Sequence, residues 1–172
     1  TLGRNYGTLV FEKNVTHPDL WSGRGLKFTL KKEGITQTGI IKNNLAPKDA
    51  TILAEYSGKD ILGLLSDLNK DSNNHVAEML TKAIAVKNKK EGSVAEGVKI
   101  INNETKQLRL RSQDYSFISP SGLSPYNQIS SANILKILEG IAVDKKHQDV
   151  FMKSLPEAGV DGTLKKRKIA SV

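Results

Sequence analysis

Six consecutive polar residues at positions 69–74 separate two stretches in which apolar side chains recur with helical spacing. The first stretch carries Ile61, Leu62, Leu64, Leu65 and Leu68, and the second carries Val76, Ala77, Met79, Leu80, Ala83 and Ile84. Because an apolar helix face does not run through six polar positions, the sequence predicts two helices joined by a polar break. Ser57, with Asp60 three residues later, predicts the start of the first helix, and one of the break residues is expected to cap the second.

Helix signals recur along the rest of the chain, and the further helices are predicted at residues 17–33, 93–108, 131–142 and 147–155. Thr16 is the expected N-cap of the first of these, and Gly34 the residue at which it ends. Gly23 and Gly25 lie inside that helix, where each costs about 1 kcal/mol relative to alanine. A close neighbour would explain their presence.

Short segments rich in β-branched and aromatic residues predict strands at residues 8–11, 36–42, 50–56 and 108–118. Residues 119–127 (SPSGLSPYN) are typical of a turn, and residues 157–163 (EAGVDGT) of a loop. The mixed order of elements, with helices predominating, indicates an α+β fold. A length of 172 residues is enough for one ordinary domain.

The chain is basic, with 26 Lys and Arg against 18 Asp and Glu and a net charge of +8. Its lysines form small clusters in loops or near predicted helix C-termini, where cations complement the helix dipole. Nucleic-acid binding would favour aromatic residues inside a basic cluster, and none of the one Trp, four Tyr and four Phe lies in such a place. The composition therefore favours a solvated basic surface over a nucleic-acid interface.

Other kinds of site have weak support in the sequence. His17, His75 and His147 have no partner at metal-ligand spacing, and no glycine-rich nucleotide loop is present. The sequence contains no cysteine, which excludes disulfides and thiolate chemistry. No apolar run approaches the ~20 residues that a membrane-spanning helix needs.

The polar break contains a Ser-x-Asn tripeptide, Ser72-Asn73-Asn74. With 14 Ser and 12 Asn in 172 residues, chance alone gives about one such tripeptide, and a second copy occurs at Ser131-Ala132-Asn133. Serine and asparagine are also favoured at helix N-termini, so Ser72 or Asn74 could simply cap the second helix. The tripeptide needs its context to be informative.

That context resembles a known family. Residues 68–80 (LNKDSNNHVAEML) closely resemble the second motif of the class C low-molecular-mass penicillin-binding proteins, the D-alanyl-D-alanine carboxypeptidase/endopeptidases. Residues 121–130 are similar to the family's S-G-L-S-x-x-N-x-x-S segment, and residues 154–164 to its S-L-P-x-A-G-V-D-G-T-L loop. Residues 17–35 also resemble a helix of the family, and the resemblance runs in the right order from about residue 16 to residue 168.

Two elements of the family pattern are missing. No serine here is followed by lysine three residues later, and neither Lys-Thr-Gly nor Lys-Ser-Gly occurs. In the family these elements flank the matching region, so we expect this chain to be a segment that lies between them. A smaller departure is Ser119-Pro120, where the family usually has Asp-Gly, which leaves the shape of that turn open.

The resemblance implies part of a β-lactamase/transpeptidase-like fold, with an antiparallel sheet flanked by helices. Residues 1–15 would end an inserted domain or linker, and residues 16–172 would form part of the catalytic domain. An incomplete sheet is expected to expose apolar surface and to make the isolated piece less stable than its length suggests.

The resemblance also implies residue roles in an acyl-serine mechanism. Ser72 would hydrogen-bond the active-site lysines and relay a proton to the leaving amine, and Asn74 would hydrogen-bond the substrate's peptide carbonyl. Asn73 would point elsewhere and be replaceable. Ser121, Gly122 and Leu123 would border the pocket for the peptide stem, with a plain turn as the equal alternative. Asp161 and Gly162 are interpreted as parts of a structural loop.

By the same resemblance the protein would need no cofactor or metal and would be exported to the periplasm or cell envelope. Its partners would be peptidoglycan stem peptides and β-lactams rather than nucleic acid, whereas peripheral membrane association and oligomeric state stay open. The isolated chain is predicted to be inactive because it lacks the nucleophile motif. The alternative is a non-catalytic homologue that acts as a cell-wall interaction module.

Overall fold

A computed structural model describes residues 15–45 and 47–168. The predicted strand at residues 8–11 lies outside them. The chain divides into two compact units, Thr1–Glu55 and Tyr56–Val172.

The described part of the first unit contains one helix, α1, over Pro18–Lys32. Its N-cap is His17, without a side-chain cap, so the prediction of Thr16 as the N-cap is wrong. Pro18 fits the first turn because it has no amide hydrogen to satisfy. Gly34 ends the helix as predicted: its φ is +79°, and the amide of Ile35 donates to the Leu30 carbonyl at 2.8 Å.

The two glycines inside α1 differ in their surroundings. A Cβ on Gly23 would lie 2.6 Å from a methyl group of Ile41, so a close neighbour explains this glycine. A Cβ on Gly25 would meet no atom within 4 Å among the described residues. The expectation of a close neighbour is therefore confirmed for Gly23 and wrong for Gly25.

The second unit contains five α-helices in its described part: α2 over Ile61–Lys70, α3 over Asn74–Lys87, α4 over Val94–Thr105, α5 over Ser131–Val143 and α6 over Gln148–Ser154. Short 3-10 turns occupy Lys106–Leu108, Ser112–Asp114 and Gly162–Leu164. Strands β1 (Tyr115–Ser116) and β2 (Gln128–Ile129) pair antiparallel, with Tyr115 opposite Ile129. The α+β class and the helix-rich character are as predicted.

Capping side chains set the starts of these helices. Asp60, and not Ser57, caps α2, because its carboxylate accepts from the Gly63 amide at 2.8 Å. Ser93 caps α4, and Ser130 caps α5. Helix α2 therefore begins four residues after the predicted cap, whereas α4 and α5 begin where the sequence predicts.

Small side chains allow α3 and α4 to pack closely. Ala77, Thr81 and Ala85 lie on one face of α3 and are buried, as are Gly97 and Val98 on α4. A Cβ on Gly97 would overlap the carbonyl oxygen of Thr81. The contact therefore depends on glycine at position 97.

The strands predicted at residues 36–42, 50–56 and 108–118 are wrong, except for Tyr115–Ser116. A strand is stable only when a neighbour satisfies its backbone groups, and within the described residues β1 and β2 are the only paired segments. The turn at 119–127 joins these two strands as the sequence predicts.

Much of the apolar surface lies open. Within residues 15–45 and 47–168, the buried apolar side chains are Ala77, Ala85 and Val98, whereas Leu53, Leu123 and Val143 are at least three-quarters exposed. No helix in this part of the chain is both long and apolar enough to cross a membrane.

Candidate active site

The polar break between α2 and α3 consists of three residues, Asp71, Ser72 and Asn73. Helix α2 ends at Lys70, and Asp71 is its C-cap. Ser72 then adopts a left-handed backbone with φ of +54°, and the amide of Asn73 donates to the Leu68 carbonyl at 3.2 Å. This is the longer of the two hydrogen bonds of a Schellman closure, in which glycine usually occupies the left-handed position.

Asn73 caps α3, and its neighbours do not. The side-chain oxygen of Asn73 accepts from the Val76 amide at 3.1 Å, so one of the break residues caps α3, as predicted. Ser72 and Asn74 are exposed, and their side chains form no hydrogen bond with any group in the described residues. Asn73 thus has a structural role, which the sequence interpretation did not assign to it.

In the second Ser-x-Asn copy the asparagine makes structural contacts. Asn133 is fully buried, and its side-chain oxygen accepts from the Arg111 amide at 3.0 Å. Its side-chain nitrogen donates to the carbonyls of Arg111 and Asp114. Ser131 is the first residue of α5, and Ser130 caps that helix. Asn74 therefore differs from Asn133 in leaving its carboxamide free within the described part of the chain, whereas Ser72 and Ser131 are both exposed.

The loop after α6 fastens the end of α2. The Lys70 ammonium pairs with the Asp161 carboxylate at 2.5 Å, and the Asn69 side chain donates to the Ser154 hydroxyl at 2.7 Å. A Cβ on Gly162 would lie 2.5 Å from the Lys70 carbonyl oxygen. The interpretation of Asp161 and Gly162 as parts of a structural loop is confirmed by these contacts.

Asp161 is held in its charged form. The hydrogen bond from Lys70 lowers the pKa of the Asp161 carboxyl below its ordinary value, and a second bond from the Glu157 backbone amide acts in the same direction. The pair is partly exposed, so solvent screens much of its Coulomb energy. Its effect is to fix the two segments in one geometry.

The candidate substrate-binding residues lie in the turn between β1 and β2. Asn127 closes this turn: its side-chain oxygen accepts from the amides of Ile118 and Ser119, and its side-chain nitrogen donates to the Ser119 carbonyl at 2.6 Å. The hydroxyl of Ser121 lies 3.0 Å from that of Ser119. Asn127 thus gives the turn a defined shape.

At its tip the turn is open to solvent. Gly122 has a left-handed φ of +72°, and Leu123 is 75% exposed. Within the described residues, no hydrogen bond or ion pair joins Ser121 or Gly122 to Ser72 or Asn74. Ser72 and Asn74 lie two residues apart at the break, and the placement of Ser121, Gly122 and Leu123 in the same site stays a prediction.

Sequence reasoning missed the contacts of Asn69 and Lys70 with the loop. Both residues belong to the matching stretch at 68–80, and their partners Ser154 and Asp161 belong to the matching loop. Pairing two motifs that resemble one family could have suggested the contact. The sequence alone does not indicate which residues of the two motifs contact each other.

A cavity of about 270 Å³ lies away from the predicted residues, beside α4 and β1. Its polar groups are engaged within the fold: the Tyr115 hydroxyl donates to Asn102 at 2.8 Å, and Asn102 donates to the Phe117 carbonyl. These bonds fasten β1 to α4. None of the residues that line this cavity belongs to the polar break between α2 and α3.

Comparison with known protein families shows to which family the chain belongs. The model of the D-Ala-D-Ala carboxypeptidase 3 (S13) family matches residues 1–171. The chain belongs to this family. The resemblance carried by the break and the two loops is thereby confirmed.

Relatives and solved structures agree with the family assignment. The chain is 28% identical to D-alanyl-D-alanine carboxypeptidase DacB of Haemophilus influenzae over 96% of its own length and 35% of that protein. It is 27% identical to a D-alanyl-D-alanine carboxypeptidase of Actinomadura sp. (strain R39), over 90% of its own length and 30% of that protein. The chain therefore spans about a third of the length of these relatives.

Crystal structures of penicillin binding protein 4 from Haemophilus influenzae share the fold. One, in complex with a novel β-lactam, matches with a TM-score of 0.74 over 89% of this chain and 35% of the crystallised one. A second matches with a TM-score of 0.75 over 89% of this chain and 34% of that one, and both are 28% identical in sequence. The penicillin-binding fold predicted for this α+β chain is confirmed.

Proposed function

We propose that this chain is a segment of a serine D-alanyl-D-alanine carboxypeptidase/endopeptidase that hydrolyses peptidoglycan stem peptides and is inhibited by β-lactams. The observation that carries the proposal is the state of Ser72 and Asn74. Both side chains are exposed and have no hydrogen-bond partner within the described residues, whereas the asparagine of the second Ser-x-Asn copy, Asn133, is buried and bonded to the backbone. The family and the names of the two relatives support the same reaction.

The proposed reaction is acyl transfer to serine. A serine oxygen outside this chain bonds to the carbonyl carbon of the penultimate D-alanine, and the bond to the terminal D-alanine nitrogen breaks. The proton lost by the serine reaches that nitrogen, so terminal D-alanine leaves as the neutral amine before it titrates in solution. Water then attacks the acyl-serine and frees the shortened peptide and the serine.

Ser72 and Asn74 would serve different steps. A hydroxyl both donates and accepts, so Ser72 can hydrogen-bond lysines of the two missing motifs and pass a proton to the leaving nitrogen. A carboxamide donates without carrying charge, so Asn74 can hold a peptide carbonyl of the substrate. Ser121, Gly122 and Leu123 would border the pocket for the peptide stem.

The proposal assigns residues 16–172 to the catalytic domain and residues 1–15 to the end of an inserted domain or linker. The rest of that domain would cover apolar side chains such as Leu53 and Val143, which are open here. An enzyme that acts on the cell wall would work in the periplasm or elsewhere in the cell envelope, where it meets both peptidoglycan and β-lactams.

Mass spectrometry after incubation with benzylpenicillin tests the proposal. The full-length protein is expected to gain the mass of one penicillin molecule, and the 172-residue chain none, because it lacks the Ser-x-x-Lys nucleophile motif. A labelled 172-residue chain would contradict the absence of the nucleophile. An unlabelled full-length protein would contradict the enzyme proposal and favour the non-catalytic wall-binding module.

A further inference from the structure

Ser72 adopts a left-handed backbone directly after α2. At the end of α1 the same helix closure uses Gly34, with φ of +79°, whereas α2 uses serine, with φ of +54°. A left-handed backbone costs a residue with a Cβ about 1–2 kcal/mol. Because Ser72 follows the end of α2, the direction in which its hydroxyl leaves the chain is set by the last turn of that helix, which contacts from elsewhere in the chain hold in place.

Those contacts come from one segment, residues 154–162, which we call the clamp loop. Ser154 is fully buried, and its hydroxyl accepts from Asn69 at 2.7 Å while donating to the Phe151 carbonyl at 2.6 Å. A buried hydroxyl with both roles filled cannot rotate without losing a hydrogen bond. This end of the clamp loop therefore fixes the penultimate residue of α2.

The other end of the clamp loop fixes the last residue of α2. Asp161 accepts from Lys70 with one carboxylate oxygen and from the Glu157 amide at 2.8 Å with the other. Gly162 lies so close to the Lys70 carbonyl that it has no room for a Cβ. Lys70 is thus held through its side chain and its backbone at once, two residues before Ser72.

We propose that Ser154 and Asp161 are positioning residues for acyl transfer: they hold Asn69 and Lys70, and through them direct the Ser72 hydroxyl into the reaction site. The proposal rests on the proposed function of Ser72. It assigns the clamp loop a role in the rate of the chemical step, in addition to stabilising the fold. Misplacing a reacting group by about 1 Å can cost on the order of a hundred-fold in rate.

Substitutions at both partners of the ion pair test the proposal in the full-length protein. Lys70→Met keeps the length of the side chain and removes its charge, and Asp161→Asn keeps an acceptor for the Glu157 amide. Each is expected to lower kcat for D-alanine release by about ten- to a hundred-fold while KM changes less than about three-fold. Lys70→Arg, which keeps the charge, is expected to restore most of kcat.

Gly162→Ala disturbs the contact between the clamp loop and Lys70 without changing any charge. Its Cβ would press on the Lys70 carbonyl, so kcat is expected to fall about as far as in Lys70→Met. Melting curves identify the temperature at which every variant is folded, and rates are compared there. Asp149→Asn is the matched control, since it breaks an exposed pair with Lys153 on α6 at 2.6 Å, and its kcat is expected to equal that of the wild type.

The outcomes separate this inference from the function on which it rests. Variants that are folded and keep the wild-type kcat, or that lose stability alone, would overturn the positioning role while the enzyme proposal stands. A wild-type protein that neither releases D-alanine nor is acylated by penicillin would overturn the proposed function and this inference with it. A loss of kcat in the folded Lys70, Asp161 and Gly162 variants, with Asp149→Asn unaffected, supports the positioning role.

Discussion

At the scale of single residues, Ser72 occupies a backbone conformation that glycine adopts more easily. Lys89 holds the same position after α3, with φ of +57° and the Lys90 amide donating to the Ala85 carbonyl at 3.0 Å. The left-handed backbone alone therefore does not mark a functional residue. What distinguishes Ser72 is its side chain, a small hydroxyl two residues before Asn74, whose carboxamide has no hydrogen-bond partner in the described residues.

Glycine substitutions at positions 72 and 89 distinguish the effect of backbone strain on stability from the effect of the Ser72 hydroxyl on activity. Ser72→Gly and Lys89→Gly are both expected to raise the free energy of unfolding by up to about 1 kcal/mol, because glycine carries no Cβ. In the full-length protein, Ser72→Gly is expected to abolish D-alanine release, and Lys89→Gly to leave it unchanged. Urea unfolding and a D-alanine assay measure the two effects. An active Ser72→Gly variant would contradict the role of the hydroxyl.

The two asparagines of the break are expected to show opposite behaviour. Asn73→Ala removes the cap of α3 and should cost about 1 kcal/mol of stability, with little change in kcat. Asn74→Ala removes a side chain without a partner in the described residues, so it should cost little stability and most of the activity. Thermal unfolding and steady-state kinetics on both variants check this. Loss of activity in Asn73→Ala alone would reverse the assignment.

At the scale of elements, glycine sets the distance between α3 and α4. Gly97→Ala is expected to lower the free energy of unfolding by about 1–3 kcal/mol, because its Cβ meets the backbone of Thr81. Gly25→Ala in α1 is the matched control: its Cβ meets nothing in the described residues, and alanine should stabilise that helix by about 1 kcal/mol. Urea unfolding measures both. Equal effects at the two glycines would contradict the close packing of α3 on α4.

Elements with local signals could be predicted from the sequence, and elements with distant partners could not. Ser93 and Gly34 mark a helix start and a helix end by interactions within a few residues, and both predictions are confirmed. The segments at 36–42 and 50–56 have strand-like composition, yet a strand also needs a paired neighbour, which composition does not report. Ser57 failed as a cap because Asp60 lies nearer the apolar face and offers a carboxylate to the first turn.

The candidate site follows the same division. Ser72 and Asn74 could be proposed from the sequence because they are close together in it and lie in a stretch that resembles a family motif. The contacts of Lys70 with Asp161 and of Asn69 with Ser154 join residues far apart in the chain, so the sequence could not indicate them. The separation of these partners along the sequence, rather than their chemistry, is the reason that their contacts could not be predicted.

At the scale of the whole molecule, the ion pair between Asp161 of the clamp loop and Lys70 should make the stability of the protein depend on pH. The pKa of Asp161 is lowered from its ordinary value of 3.8, chiefly by the hydrogen bond from Lys70. Its contribution to stability is therefore fully present above the ordinary value and is lost as the pH falls through the lowered one. Asp161→Asn should be less stable than wild type at neutral pH, and the difference should shrink in acid. Urea unfolding at several pH values measures it, and a constant difference would contradict the charged pair.

The role of Ser72 is tested most directly by D-alanine release from a D-alanyl-D-alanine peptide by the full-length protein, compared among the wild type, Ser72→Ala and Ser131→Ala. The two substitutions remove the same hydroxyl from the two Ser-x-Asn copies, and both residues are exposed. The proposed role of Ser72 predicts that Ser72→Ala lowers kcat/KM by about 10²–10⁴-fold and that Ser131→Ala leaves it within about two-fold of the wild type. Wild-type release by Ser72→Ala, or an equal loss in both variants, would contradict it.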